Sequence, residues 1–217
     1  MSHSSIEHGE KALLDFYKNE QFQEALDWLQ EATLPAPALH YNQGVFHYKL
    51  NNLGQARFHF EKAQKLDFSP HLVEENLSLV KKQLGYTHME QPVGPWQSTQ
   101  FFFWNQSSEV FLLISLLLLL SLLVLLRKTF WNFSKVLLLS LCFVPLLVKL
   151  VFFSSVQKAV VLDERELYSG PAQFFETLGV VPEGVMLHLG QRQKDWVFVL
   201  HPKAYRGWLQ SEGIGTL

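Results

Sequence analysis

The side chains best suited to chemistry in this sequence are nine histidines: His3, His8, His40, His47, His59, His71, His88, His188 and His201. None sits in an HExxH pair or beside a cysteine at metal-ligand spacing. His40 and His47 share one helix face, but no carboxylate completes a ligand set there. Glu164 and Glu166 fall in a charged, turn-like stretch and read as a solvated loop. The single cysteine, Cys142, lies inside an apolar block, so no intrachain disulfide can form. There is no GxGxxG, no Walker A and no GxSxG. The expectation is therefore no catalytic, cofactor-binding or metal-binding residue, and a protein that is not an enzyme. A net charge of -2 also argues against a nucleic-acid partner, which selects a concentrated basic face.

Binding, rather than reaction, is what the elements around these residues could serve. Leu, Val and Phe crowd into residues 101–153, while both flanks read as ordinary soluble protein. Residues 110–126, VFLLISLLLLLSLLVLL, carry no charge and would span about 26 Å as a helix, close to a hydrocarbon thickness of roughly 30 Å. Residues 136–153, VLLLSLCFVPLLVKLVFF, form a second run that includes Pro145 and Lys149. Lys149 is near the far end, where its stem can snorkel to the headgroups. Trp104 and Trp131 stand where an aromatic belt belongs. The reading is a two-helix hairpin in a lipid bilayer, with 127–135 as its connection. Arg127, Lys128 and Lys135 lie in that connection, whereas the flank before the first run has Glu90 and Glu109 and no Lys or Arg. The positive-inside rule puts the connection in the cytoplasm and both flanking domains outside. No signal peptide is visible at the start, so the expectation is that the native precursor begins differently.

Residues 6–85 show helical periodicity with an internal echo. From Pro37 the chain reads PALHYNQGVFHYKLNNLGQARFHFEKAQKLDFSP. Gly44 stands where two helices approach, residues 51–54 make a turn, and Ala56, Phe60 and Ala63 follow in phase. This unit resembles a tetratricopeptide repeat, with His40 in place of the usual aromatic. A weaker copy precedes it, with its turn at Tyr17 to Phe22 and Ala25, Leu29 and Ala32 in phase. A closing helix over 71–84 ends at Gly85. Stacked repeats of this kind leave a concave face, and the phase puts Tyr41, Val45, Tyr48 and Lys49 on it as candidate partner contacts. The bland alternative is that these residues merely pack against the next helix. Residues 86–109 read as a linker.

After Phe153 the pattern shifts to short alternating runs broken by Gly and Pro. Strands are expected over 159–162, 184–189, 195–200 and 207–209, a spacing that suits a small barrel. The landmarks AVV at 159–161, LYSGP at 167–171, VPEG at 181–184, DWVFV at 195–199 and RGWL at 206–209 resemble bacterial SH3-like domains across 158–217. Tyr168 and Trp208 are the candidate ligand contacts there, against the alternative that the tryptophans only pack.

The expected fold class is thus a multidomain membrane protein: an α-helical repeat solenoid, two transmembrane α-helices and a small all-β SH3-like barrel. That order resembles BatE-like proteins of bacterial Bat (aerotolerance-related) operons. The resemblance implies a scaffold or assembly subunit in the inner membrane, with both soluble domains periplasmic. Its implied partners are von Willebrand factor A membrane proteins and a MoxR-type AAA+ ATPase. An envelope sensor whose SH3-like domain binds cell-wall peptide or glycan is the alternative.

Overall fold

A computed structural model of the chain describes residues 3–85, 90–91, 94–126, 141–153 and 156–217. The chain divides into two compact units. One joins Met1–Gln91 with Gln157–Leu217, and the other is Pro92–Val156. The connection at 127–135 and the first part of the second apolar run, 136–140, lie outside the described residues, and so does Trp131.

The first unit opens with five helices: α1 (His3–Lys18), α2 (Phe22–Glu31), α3 (Ala36–Lys49), α4 (Leu53–Lys65) and α5 (Pro70–Leu84). Their packing follows from small residues at the crossings. A Cβ on Gly44 would come within 2.7 Å of the Phe60 ring, so only glycine lets α3 and α4 approach this closely. Ala25, Ala56 and Ala63 are fully buried for the same reason. Leu53, Phe60, Val73, Leu77, Val80 and Leu84 fill the core between α4 and α5, while Leu13, Leu26, Leu29 and Phe46 fill the one beneath α1 to α3. The turns are made by residues with positive φ, Glu20, Asn51 and Asp67. α5 ends on Gly85 at φ 74°, whose N–H donates to the Lys81 carbonyl.

After residue 156 comes an antiparallel sheet of seven strands: β1 (Gln157–Val161), β2 (Arg165–Tyr168), β3 (Thr177–Val181), β4 (Met186–Gln193), β5 (Trp196–His201), β6 (Gly207–Gln210) and β7 (Ile214–Thr216). Their order is β3-β2-β6-β5-β4-β1-β7. Alternation is plain in β5 and β6: Val197, Val199 and Leu209 point inward, while Trp196, Phe198 and Trp208 are half-buried on the other face. β2, β3 and β7 are additional to the strands expected from sequence. Each is five residues or fewer, and β3 carries exposed residues on both faces, so its hydrophobic period is lost.

The helical repeats and the sheet share an interface within this unit. α4 lies against β1. A Cβ on Gly54 would meet the Leu162 carbonyl oxygen at 2.3 Å, and one on Gly215 would meet the Phe58 ring at 2.5 Å. Arg57, only 2% exposed, sends Nη1 to the Gly184 carbonyl at 2.7 Å. Both its terminal nitrogens grip the Glu90 carboxylate, at 2.6 and 2.8 Å. Glu90 also accepts from the Met186 N–H at 2.8 Å, and its own carbonyl lies 2.7 Å from His201 Nε2. One bidentate ion pair thus ties helix, linker and sheet together.

The second unit contains α6 (Pro95–Asn105), α7 (Ser108–Leu126), α8 (Val144–Val148) and a π-helical turn (Lys149–Phe153). α6 lies in the stretch read as linker; Gly94 and Pro95 start it. Among the described residues no single helix is long and apolar enough to cross a membrane, but Ser98–Trp104 and Ser108–Val124 meet the criteria together, bent by 99°. Within this unit Leu113, Leu117, Leu120 and Val124 are all more than half exposed along α7. Lys149 is buried, and its Nζ donates to the Phe103 carbonyl, since a buried ammonium needs an acceptor.

Candidate functional site

A cavity of about 700 Å³ opens in the helical repeats. α3 supplies its floor through Ala38, Tyr41, Asn42, Val45, Phe46, Tyr48 and Lys49. Tyr41, Val45, Tyr48 and Lys49 recur every three or four residues, which puts them on one helix face. α1 contributes Leu13, Leu14 and Tyr17, and α5 contributes Asn76 and Leu79. All four residues singled out from the repeat phase therefore line one groove.

The groove is apolar with a few oriented polar groups. Tyr41 packs on Phe60 and Phe68, with ring centroids 5.9 and 4.9 Å apart. Its hydroxyl accepts from Asn76 Nδ2 at 3.2 Å, and burial holds the phenol above its ordinary pKa. Asn42 is bonded back to the Ala38 carbonyl at 2.8 Å. Among the described residues Lys49 is the only charged one in the lining; its ammonium lies 4.9 Å from the centroid of the Tyr17 ring. Leu14, Tyr17 and Leu79 are exposed at the rim. The lining is apolar, with the Lys49 ammonium at one side. Among the described residues of the lining there is no Ser, Cys, His, Asp or Glu.

Three histidines converge on another side of α3. His40 Nδ1 lies 3.1 Å from His59 Nδ1, and the His47 ring stacks on His59 at 5.3 Å. Burial, then the neighbouring His47, His40 and Lys62, pushes the His59 pKa down to about 3, so it is neutral at pH 7. Among the described residues no group of three or more His, Cys, Asp or Glu is disposed to hold a metal. His59 comes from α4, a neighbour that helix periodicity in α3 could not reveal.

On the sheet, Tyr168 and Trp208 are direct cross-strand partners, and Trp208 is in turn opposite Phe198. Tyr168 meets Trp196 edge-on at 5.3 Å, and Phe198 meets Trp208 at the same distance. Arg206 lies over the Phe198 ring. The Tyr168 hydroxyl donates to Glu166. These aromatic rings make a half-exposed row across β2, β6 and β5. They take no part in the smaller cavity of about 370 Å³ near Gln157, Arg192 and Glu212.

Arg57 and Glu90 are the residues that sequence reasoning missed. Glu90 counted only as a negative charge on a linker. The available signal was an arginine at a helix-B position next to the core residue Ala56.

Residues 37–69 match the tetratricopeptide repeat family model. That match covers α3, which supplies the groove floor, and α4 packed behind it, and the repeat points to a scaffold for protein–protein interaction. No curated protein and no solved structure matches the chain.

Proposed function

We propose that this chain is a non-enzymatic, membrane-tethered scaffold subunit of a bacterial cell-envelope complex, holding a segment of a partner protein in its repeat groove. The groove supports this reading most directly. It is long enough to border α1, α3 and α5, it is mostly aliphatic and aromatic, and it carries one cation. The segment that suits it is an apolar or amphipathic stretch with one acidic side chain placed to meet Lys49. The tether is supported by 110–126 and by the exposed leucines of α7, a surface too apolar to face water. In the proposed arrangement the chain passes twice through the inner membrane, with 127–135 cytoplasmic and both soluble domains periplasmic. The order of repeat domain, apolar hairpin and SH3-like domain supports a Bat-type complex with von Willebrand factor A membrane proteins and a MoxR-type AAA+ ATPase.

A second reading, an envelope sensor for cell-wall peptide or glycan, is favoured by the aromatic row around Tyr168 and Trp208. One affinity-capture experiment in mild detergent separates the two. Stoichiometric partner proteins should be recovered with the wild type and reduced about tenfold, or about 1.4 kcal/mol, by Val45→Glu or Lys49→Glu. Capture that is absent, or indifferent to both substitutions, would overturn the scaffold reading. Murein fragments retained by the wild type and lost with Trp208→Ala would favour the second.

A further inference from the structure

Cross-strand partners in a sheet carry their side chains on the same face, so register decides which residues β4 turns inward. Leu189 pairs with Val199, and unbroken pairing from there would set Arg192 opposite Trp196, on the outer face. A register shift between Leu189 and Arg192 sets it opposite Val197 instead. This bulge lets one extra residue into β4 and moves an arginine to the side of the sheet that Val197 and Val199 fill with core. β1 and β7 bring polar residues to the same side. Gln157 pairs with Leu189, and Thr216 pairs with Ala159, two positions further along β1. Arg192, Gln157 and Thr216 share the cavity of about 370 Å³, whose apolar lining is Leu189, Val197 and Ile214 from the sheet core. The turn before β7 adds Ser211 and Glu212. Arg192 Nε donates to the Lys194 carbonyl at 3.3 Å, which leaves both terminal nitrogens of the guanidinium for other partners. Among the described residues no ion pair joins Arg192 to Glu212, although both line this cavity.

We propose that this cavity binds a small α-amino acid with an aliphatic side chain. An apolar lining with a few convergent polar groups is the usual form of a small-molecule site. Two opposite charges that border one space without meeting suit a ligand that carries both. Arg192 takes the carboxylate, because a guanidinium can hold two carboxylate oxygens side by side. Glu212 takes the ammonium, and Leu189, Val197 and Ile214 cover the side chain. Ser211, Gln157 and Thr216 supply neutral hydrogen-bonding groups. A ligand with only one of the two charges leaves the other protein charge unanswered, so the zwitterion is preferred. The cavity is separate from the repeat groove and from the aromatic row, so the proposal stands or falls independently of the scaffold and sensor readings.

Isothermal titration of the full chain in mild detergent with L-leucine tests this. Saturable binding is expected, with Kd on the order of 1 mM for so small a ligand. Arg192→Gln and Glu212→Gln, both at exposed positions, should each weaken it about tenfold or more, with unchanged circular dichroism. Isocaproate and isoamylamine keep the aliphatic group and one charge each, and both should bind about tenfold more weakly than leucine. Phosphoethanolamine carries both charges without the aliphatic group and should also bind more weakly. No saturation by leucine at several times the expected Kd overturns the proposal. So does binding that survives both substitutions, or isocaproate or isoamylamine binding as well as leucine. Tighter binding of phosphoethanolamine than of leucine would assign the cavity to a lipid headgroup and overturn the amino-acid assignment.

Discussion

His188 is fully enclosed between β1 and β5, in register with Lys158 on one side and His201 on the other. Burial first, then His201 and Lys158, pushes its pKa down to about 3 from the ordinary 6.5. The sign of the consequence follows from proton counting. Between pH 6.5 and 3 the unfolded chain holds a proton on this residue that the folded chain refuses, so stability rises with pH across that window. The stability is fully present above about 6.5 and is lost on acidification, by up to about 1.4 kcal/mol per pH unit for one histidine. His59 adds a contribution of the same sign. Urea denaturation between pH 7.5 and pH 5, above most carboxylate titrations, should show the midpoint dropping as the pH is lowered, and His188→Leu should flatten that dependence by up to one proton. An unaltered slope in the variant would show that burial at His188 is not its source.

Glycine decides whether the elements α4 and β1 can meet. α4 begins at Leu53, and its N-cap Asn52 makes no side-chain cap. Glu183, from the turn before β4, accepts from the Gly54 N–H at 3.1 Å instead, putting a carboxylate at the positive end of the helix. Gly184 of the same turn presses on Leu84. This fit has no slack. Gly54→Ala sets a methyl against backbone oxygen, so α4 and β1 must separate and the Arg57–Glu90 pair must stretch. A helix interior ordinarily gains about 0.5–1 kcal/mol from Gly→Ala; here the substitution should instead destabilise by about 1–3 kcal/mol, the usual penalty of overpacking. Thermal unfolding would decide it, and a raised Tm would mean that the helix and sheet do not touch at this point. The same geometry explains what was legible. Gly44 and Ala56 could be assigned from repeat phase because their neighbours lie in the same repeat. Gly54 looks like an ordinary turn glycine, because its neighbour is more than a hundred positions away.

For the whole molecule, one consequence follows from the unit that joins both flanks of the chain. Arg57, Glu90 and Gly184 cannot meet across a bilayer. On the proposed tether, then, residues 92–156 must leave and return on the same side, as an even number of crossings or as a re-entrant loop. Epitopes at the two termini should therefore show identical protease protection in spheroplasts, and both should be cleaved if the domains are periplasmic. Opposite protection of the two ends would break either the tether or the shared unit; protection of both would reverse the orientation. Glu90 also changes meaning at this scale. Its carboxylate is paired with Arg57 rather than displayed at a membrane surface, so the charge asymmetry rests on Glu109 and on the lysines and arginine in 127–135.

Local periodicity was enough to place the repeat helices, most of the longer strands, the apolar block and the groove residues Tyr41, Val45, Tyr48 and Lys49. All of these depend on neighbours within a few turns of helix or one strand length. The tertiary structure alone decided that the flanking domains dock on each other, that a linker glutamate is buried with Arg57, that β7 is covered and β3 left open, and that Tyr168 and Trp208 stand in one row. Each of these depends on which surfaces meet after the chain has closed loops of tens to more than a hundred residues, and hydrophobic pattern records that a face is buried without recording what buries it.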